Sequence, residues 1–139
     1  MLRYLLDTDI CIFTIKNRPP ALREVFNERA AHLGISSVTL AELLYGAEKS
    51  ARPAANLGVV ESFAARLTVL PFDDRAALHY GQIRADLERK GTPIGPYDLM
   101  IAGHARSEAL VLVTANIREF RRVSGLRVEN WLAPTGPSG

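Results

Sequence analysis

Tyr4-Leu5-Leu6-Asp7-Thr8-Asp9 decides the reading of this chain. A short apolar run ends abruptly in two acids separated by one hydroxyl residue. Three consecutive apolar side chains are the mark of a strand buried on both faces, as in the centre of a parallel sheet. Similar runs recur at Leu33–Ser36, Leu67–Leu70 and Leu110–Thr114, with a weaker one at Leu126–Val128. All four main runs are expected as buried strands. The segments between them carry helical spacing instead. Leu22, Val25 and Phe26 follow Pro19-Pro20, which suits a helix start. Leu40, Leu43, Leu44 and Ala47 form a second stripe, and Leu57, Val60, Ala64 and Leu67 a third. Ala76, Tyr80, Ile83 and Leu87 form a fourth, with Asp73 or Asp74 as its N-cap. A last helix is expected from about Tyr97 to Ser107, with Pro96 near its first turn. Strands alternating with helices predict an α/β fold, with helices on both faces of a parallel sheet of four to five strands.

The totals agree with one such domain. The chain has 139 residues, 47% hydrophobic and 23% charged, the balance of a folded globular protein rather than a disordered one. One domain over 1–133 and a disordered Pro/Gly/Ser tail over 134–139 are expected. The single cysteine, Cys11, excludes an intrachain disulfide and a cysteine zinc site. It sits among Ile10, Ile12 and Phe13 and reads as a small buried hydrophobe. No apolar run approaches the length of a membrane span, and no signal peptide is evident, so a cytoplasmic protein is expected. Net charge is +2, too small to announce a nucleic-acid binder. His32, His79 and His104 have no metal-site spacing, and neither a P-loop nor a Ser–His–Asp order is present.

In such folds ligands bind at the carboxyl ends of the strands. Asp7 ends the first strand. Glu42 lies in the first turn or so of the helix after the second. Asn116 lies just past the fourth. Asp98 opens the helix that joins that strand through Glu108-Ala109, so the helix runs antiparallel to the strand and returns Asp98 to the same edge. How the preceding helix reaches this rim is not set by the sequence. Converging carboxylates repel one another unless a cation lies between them. Mg²⁺, or Mn²⁺ as a substitute, takes such oxygen ligands and suits hydrolysis of a phosphate ester. Each acid also has a structural role open to it. Asp7 can end a strand or cap a helix, Glu42 can complete a capping box begun by Thr39, and Asp98 can face a helix dipole.

At the residue level the chain resembles the PIN-domain endoribonuclease toxins of bacterial VapBC toxin–antitoxin systems. The likeness rests on Leu5-Leu6-Asp7-Thr8-Asp9, on Ser36 through Gly46 around Glu42, and on Gly91 through Ala102 around Asp98. It continues through Leu112 to Phe120 and Leu126 to Trp131. The resemblance implies a PIN-like three-layer α/β/α sandwich and Mg²⁺- or Mn²⁺-dependent RNA cleavage. It makes Asp7, Glu42 and Asp98 catalytic and metal-holding. Asn116 stands where relatives often carry a fourth acid, with Glu119 three residues on, and either can fill that position. Asp9 is a further metal-site acid or a helix cap. The resemblance also implies 5′-phosphate and 3′-hydroxyl products, a tRNA anticodon stem-loop as substrate, a homodimer and a VapB-type antitoxin partner. Leu22, Val25, Phe26, Leu57, Val60 and Phe63 are candidates for part of the antitoxin surface, though helical stripes are usually core. Arg118, Arg121, Arg122 and Arg127 are candidate RNA-phosphate contacts or an ordinary solvated surface.

Two other readings stay open from the residues. Asp7-Thr8-Asp9, with Asp73-Asp74 later, resembles haloacid-dehalogenase-type phosphatases, where the first aspartate is a nucleophile. An inactive PIN-like module that binds RNA or a partner is the second, and Asn116 is its best support.

Overall fold

A computed structural model describes residues 1–132; the expected tail at 134–139 lies outside the described residues. Strands β1 (Tyr4–Leu6), β2 (Leu33–Ser36), β3 (Thr68–Leu70), β4 (Val111–Val113) and β5 (Val128–Glu129) form one sheet in the order β3-β2-β1-β4-β5. Every pairing is parallel, with Leu5 opposite both Gly34 and Leu112. Seven helices connect or flank them: α1 (Thr8–Ile15), α2 (Pro20–Arg29), α3 (Ser37–Glu48), α4 (Pro53–Ala64), α5 (Asp74–Arg89), α6 (Pro96–Ser107) and the short α7 (Ile117–Phe120). Leu67 of the third stripe falls just past α4, its N–H donating to the Ala64 carbonyl.

The sheet separates two cores because successive strand residues point to opposite faces. Leu6, Ile35 and Val113 face Ile10, Phe26 and Phe63, under α1 to α4. Leu5 and Leu112 face Ile83, Ile101 and Phe120, under α5 to α7. The result is the expected three-layer α/β/α sandwich. Cys11 is fully buried, as expected. Leu22, Phe26, Val60 and Phe63 belong to the core, whereas Val25 and Leu57 remain half-buried.

β3 departs from expectation. It reads as a buried strand, yet Thr68 and Val69 are exposed and Leu70 half-buried. β3 is an edge strand, and an apolar run signals a strand without fixing its place in the order.

Helices α5 and α6 form an antiparallel hairpin. Arg75 at the start of α5 donates to the Ser107 carbonyl at the end of α6 at 3.2 Å. A Cβ on Gly103 would lie 2.8 Å from the Tyr80 nitrogen, so only glycine permits this approach. The hairpin answers what the sequence left open. α5 climbs away from the α6 C-terminus, and the 90–95 loop turns the chain so that α6 starts at the carboxyl edge. Gly95 is its N-cap and Pro96 its first residue.

Candidate active site

The sheet order changes direction at β1, with β2 on one side and β4 on the other. The crevice between the carboxyl ends of β1 and β4 is therefore the switch point where α/β sheets bind ligands. Asp7 stands there, only 5% exposed. It is the N-cap of α1, and its Oδ1 accepts from the Thr8 N–H at 2.8 Å. Its Oδ2 accepts from the Thr114 hydroxyl, also at 2.8 Å, and Thr114 Oγ1 in turn accepts from the Asn116 N–H at 2.9 Å. Thr114 thus clamps Asp7 from the end of β4. Asp9 ties the same two segments together: Oδ1 accepts from the Ile10 N–H at 2.6 Å and Oδ2 from the Ala115 N–H at 3.3 Å.

Glu42 stands in the second turn of α3, slightly deeper than expected. The capping box does not form, because Ser36 is the N-cap and accepts from the Val38 N–H at 3.0 Å. Glu42 is instead free to reach the site, where Oε1 accepts from the Thr8 hydroxyl at 2.6 Å. The Thr39 hydroxyl lies 3.2 Å from that of Thr8. Asp98, in the first turn of α6, faces Glu119. Asn116 is exposed, and its Nδ2 donates to Glu119 Oε2 at 2.9 Å.

The electrostatics show the convergence most clearly. Asp7 is pushed up to about 7, first by burial and then by the charge of Asp9, against the opposing effect of the Thr114 and Thr8 hydrogen bonds. Asp98 is pushed up to about 6 by burial, then by Glu119, and further by Glu42 and Asp9. Asp9 is also raised, chiefly by burial. None of the groups that chiefly shift these three is cationic, and none of the three is in an ion pair among the described residues. Asp7, Asp9, Glu42, Asp98 and Glu119 therefore share one acidic mouth. Among the described residues no three His, Cys, Asp or Glu side chains are poised around a common point. Hydrogen bonds from Thr8, Thr114 and Asn116 engage Asp7, Glu42 and Glu119 there. By donor type the set fits a hard divalent cation, which would supply the missing positive charge.

The other named residues divide. Arg118 and Arg121 are exposed, and their side chains make no hydrogen bond or ion pair among the described residues. Arg122 donates to the Pro93 carbonyl at 3.2 Å, bracing the loop before α6. Arg127 donates to the Ala109 carbonyl at 2.9 Å, at the opposite, amino edge of β4. His32, His79 and His104 all make structural contacts, to the Met1 carbonyl, Arg106 and Ser36. Asp73 caps α5 beside edge strand β3, two strands removed from β1, so no second acid pair of the phosphatase type joins the mouth. Thr8 and Thr114 were missed by sequence reasoning. Their only signal is a hydroxyl residue directly after a first-strand acid and after a buried strand.

A family model described as the PIN domain matches residues 4–126. The chain belongs to the PIN-domain family. Within it the curated relatives are VapC proteins. The chain is 61% identical over 131 residues to a tRNA(fMet)-specific endonuclease VapC of Salmonella typhimurium, covering 94% of this chain and 99% of that one. It is 51% identical over 132 residues to ribonuclease VapC2 of Haemophilus influenzae, covering 95% and 100%. Among solved structures, DNA-bound VapBC from Salmonella typhimurium superposes with a TM-score of 0.91 at 61% identity, over 94% of this chain and 99% of that chain. VapBC2 of Rickettsia felis, bound to a fragment of promoter DNA, gives 0.88 at 39% identity, over 94% and 99%. The acidic mouth is thus the mouth of a VapC-type PIN domain, and the expected fold and family both hold. No helix among the described residues is long and apolar enough to cross a membrane.

Proposed function

We propose that the chain is the toxin of a type II toxin–antitoxin pair and acts as a metal-dependent endoribonuclease in the cytoplasm. The observation that carries the reading is the cluster of acids at the β1/β4 crevice, raised by burial and mutual repulsion with no cation opposing them, in a chain of VapC-type sequence. Asp7 and Asp98 would hold Mg²⁺ or Mn²⁺, with Glu42 completing the set or orienting the attacking water. A divalent ion bound there supplies a water of lowered pKa and neutralises charge on the phosphoryl oxygens.

The chain's own groups do the positioning. Thr114 and the Thr8 N–H each hold one of the two Asp7 oxygens. The Thr8 hydroxyl fixes Glu42 across the crevice. Glu119, held by Asn116, supplies the carboxylate that Asn116 itself lacks; Asp9 is a further candidate. Arg118 and Arg121, whose side chains pair with nothing among the described residues, stand beside this loop as contacts for substrate phosphates. Water, not the ribose 2′-hydroxyl, is the nucleophile, so the fragments carry 5′-phosphate and 3′-hydroxyl ends. The relatives' names favour initiator tRNA as substrate, and the resemblance to the toxin family favours a cut in its anticodon stem-loop. The VapBC complexes favour a VapB-type antitoxin as partner, and the resemblance to the toxin family favours a toxin homodimer.

The test is cleavage of total RNA by the purified chain, with Mg²⁺, with EDTA, and for Asp7→Asn and Asp98→Asn. Cleavage that needs the ion and both aspartates, with sequenced ends on initiator tRNA, supports the reading. Cleavage that survives chelation and both substitutions contradicts it. If the chain cuts no RNA with either Mg²⁺ or Mn²⁺, the inactive binding module replaces the enzyme.

A further inference from the structure

The arginines after the acidic mouth end in different places, and those places form a line along α6. Arg122 donates to the Pro93 carbonyl at 3.2 Å, just before α6 begins. The Ser124 carbonyl accepts from Arg106, in the last turn of α6, at 3.0 Å. Arg127 donates to the Ala109 carbonyl at 2.9 Å, just past the end of the helix. The chain from Arg122 to Arg127 therefore runs alongside α6 from its start to its end. Arg75 joins the far end from α5, through the Ser107 carbonyl. Arg118 and Arg121 stand at the near end, beside the mouth. α6 has 12 residues, so the line is about 18 Å long.

These cations are not matched by acids. None of the six arginines forms an ion pair among the described residues. Asp73, Asp74 and Glu108 are neighbours in sequence at the far end, yet Asp73 is spent on the Ala76 N–H that caps α5. His79 registers the field that remains. It is held below its ordinary value first by burial, then by Arg106 and Arg75, and its Nδ1 accepts from Arg106 Nε at 2.8 Å. Arg75 and Arg127 are exposed, and each commits one guanidinium nitrogen to a carbonyl. Their other N–H donors have no partner among the described residues. The dipole of α6 accounts for two cations at its C-terminus, but not for a line leading to them from the mouth.

The line also carries no exposed ring. The exposed aromatic residues are Phe13, Tyr45 and Tyr97, and Tyr97 borders α3, on the opposite side of α6 from Arg106. Unpaired bases are held by stacking on rings. A duplex hides its bases and offers phosphates and 2′-hydroxyls instead. We propose that this arginine line is a docking surface for the phosphate backbone of an RNA duplex, holding a helical stem against α6 while the adjoining segment enters the acidic mouth. The inference rests on the RNA-cleaving reading and deepens it. Contacts of this kind fix position without reading sequence.

The test measures binding by fluorescence anisotropy in EDTA, which withholds the metal from cleavage. Its two probes are a synthetic RNA stem-loop and the loop sequence alone as a single strand. It uses the wild-type chain, Arg75→Gln, Arg127→Gln, the double glutamine variant, Arg75→Lys and Arg127→Lys. Each glutamine variant is expected to weaken stem-loop binding roughly threefold or more and to reduce its salt slope by about 0.9. The double variant loses roughly tenfold or more, and binding of the loop alone does not change. The lysine variants keep the charge and stay near wild type. Wild-type affinity and salt slope in the double variant, with wild-type cleavage intact, overturn the docking surface and leave the nuclease standing. Equal weakening of both probes also overturns it. So does weakening that accompanies a lowered melting temperature and that lysine fails to rescue, because the arginines are then only braces of the fold. A wild-type chain that neither binds nor cuts the stem-loop overturns the surface and the nuclease together.

Discussion

Asp7 and Asp73 occupy the same local position. Each follows a strand of the same sheet, and each caps the helix that comes next. Their chemistry is opposite. Asp73 is exposed and held below the usual carboxylate range by the Ala76 N–H it accepts at 3.0 Å. Asp7 is buried beside Asp9 and Asp98 and raised to about 7. The motif of an acid at a helix start is shared. The difference comes from place in the sheet, since β1 is central and β3 is an edge. A cap becomes a site when the fold crowds other acids around it and withholds a cation.

The largest expected effect tests this contrast directly. Asp7→Asn should lower RNA cleavage by at least 100-fold, measured as initial rate with Mg²⁺, because the metal-holding charge is lost while the amide oxygen still caps α1. A variant that keeps more than a tenth of wild-type activity would place the chemistry elsewhere. Thr114→Val should cost roughly 10–100-fold in activity or metal affinity, as loss of a hydrogen bond that orients a ligand typically does.

The contrast also fixes how stability responds to pH. The folded-state values of Asp7 and Asp98, about 7 and about 6, lie above the ordinary 3.8. Their contribution is therefore fully present below about pH 4 and is lost as pH rises through 6 to 7. The metal-free chain should melt at lower temperature at pH 8 than at pH 5, and Mg²⁺ or Mn²⁺ should restore much of the difference at pH 8 by scanning calorimetry. Glu119→Gln should lower the Asp98 titration, followed by carboxyl-carbon NMR in the metal-free chain, because the largest repelling charge on Asp98 is removed. Asp73→Ala gives the smallest effect. It should lower the melting temperature by roughly 2–5 °C through the lost cap and leave cleavage unchanged.

Much of this arrangement was legible in the sequence. β1 and β2 stand where the apolar runs place them, and β4 differs by one residue at each end. The rule that ligands gather at the carboxyl edge places Asp7, Glu42 and Asp98 on one rim from the sequence alone. The resemblance named the family. What the sequence withheld was mostly long-range. The exposure of β3 follows from strand order, which a run of apolar residues does not encode. Thr8 and Thr114 matter through hydrogen bonds to residues 34 and 107 positions away, and an isolated threonine carries no mark of such a partner. The failed capping box shows the reverse error: Thr39 and Glu42 have the right spacing, but the helix begins earlier, at Ser37. The Arg118–Arg127 cluster is contiguous in sequence, yet the fold sends Arg127 to the other edge.

The most direct measurement is calorimetric titration of Mn²⁺ into the chain near pH 6.5, repeated in buffers of different ionisation enthalpy. Protons held by Asp7 and Asp98 must leave when a cation takes their place. Binding should therefore release protons at this pH, release almost none at pH 9, and vanish or weaken strongly in Asp7→Asn. Binding without proton release, or equal binding by wild type and Asp7→Asn, would contradict the account.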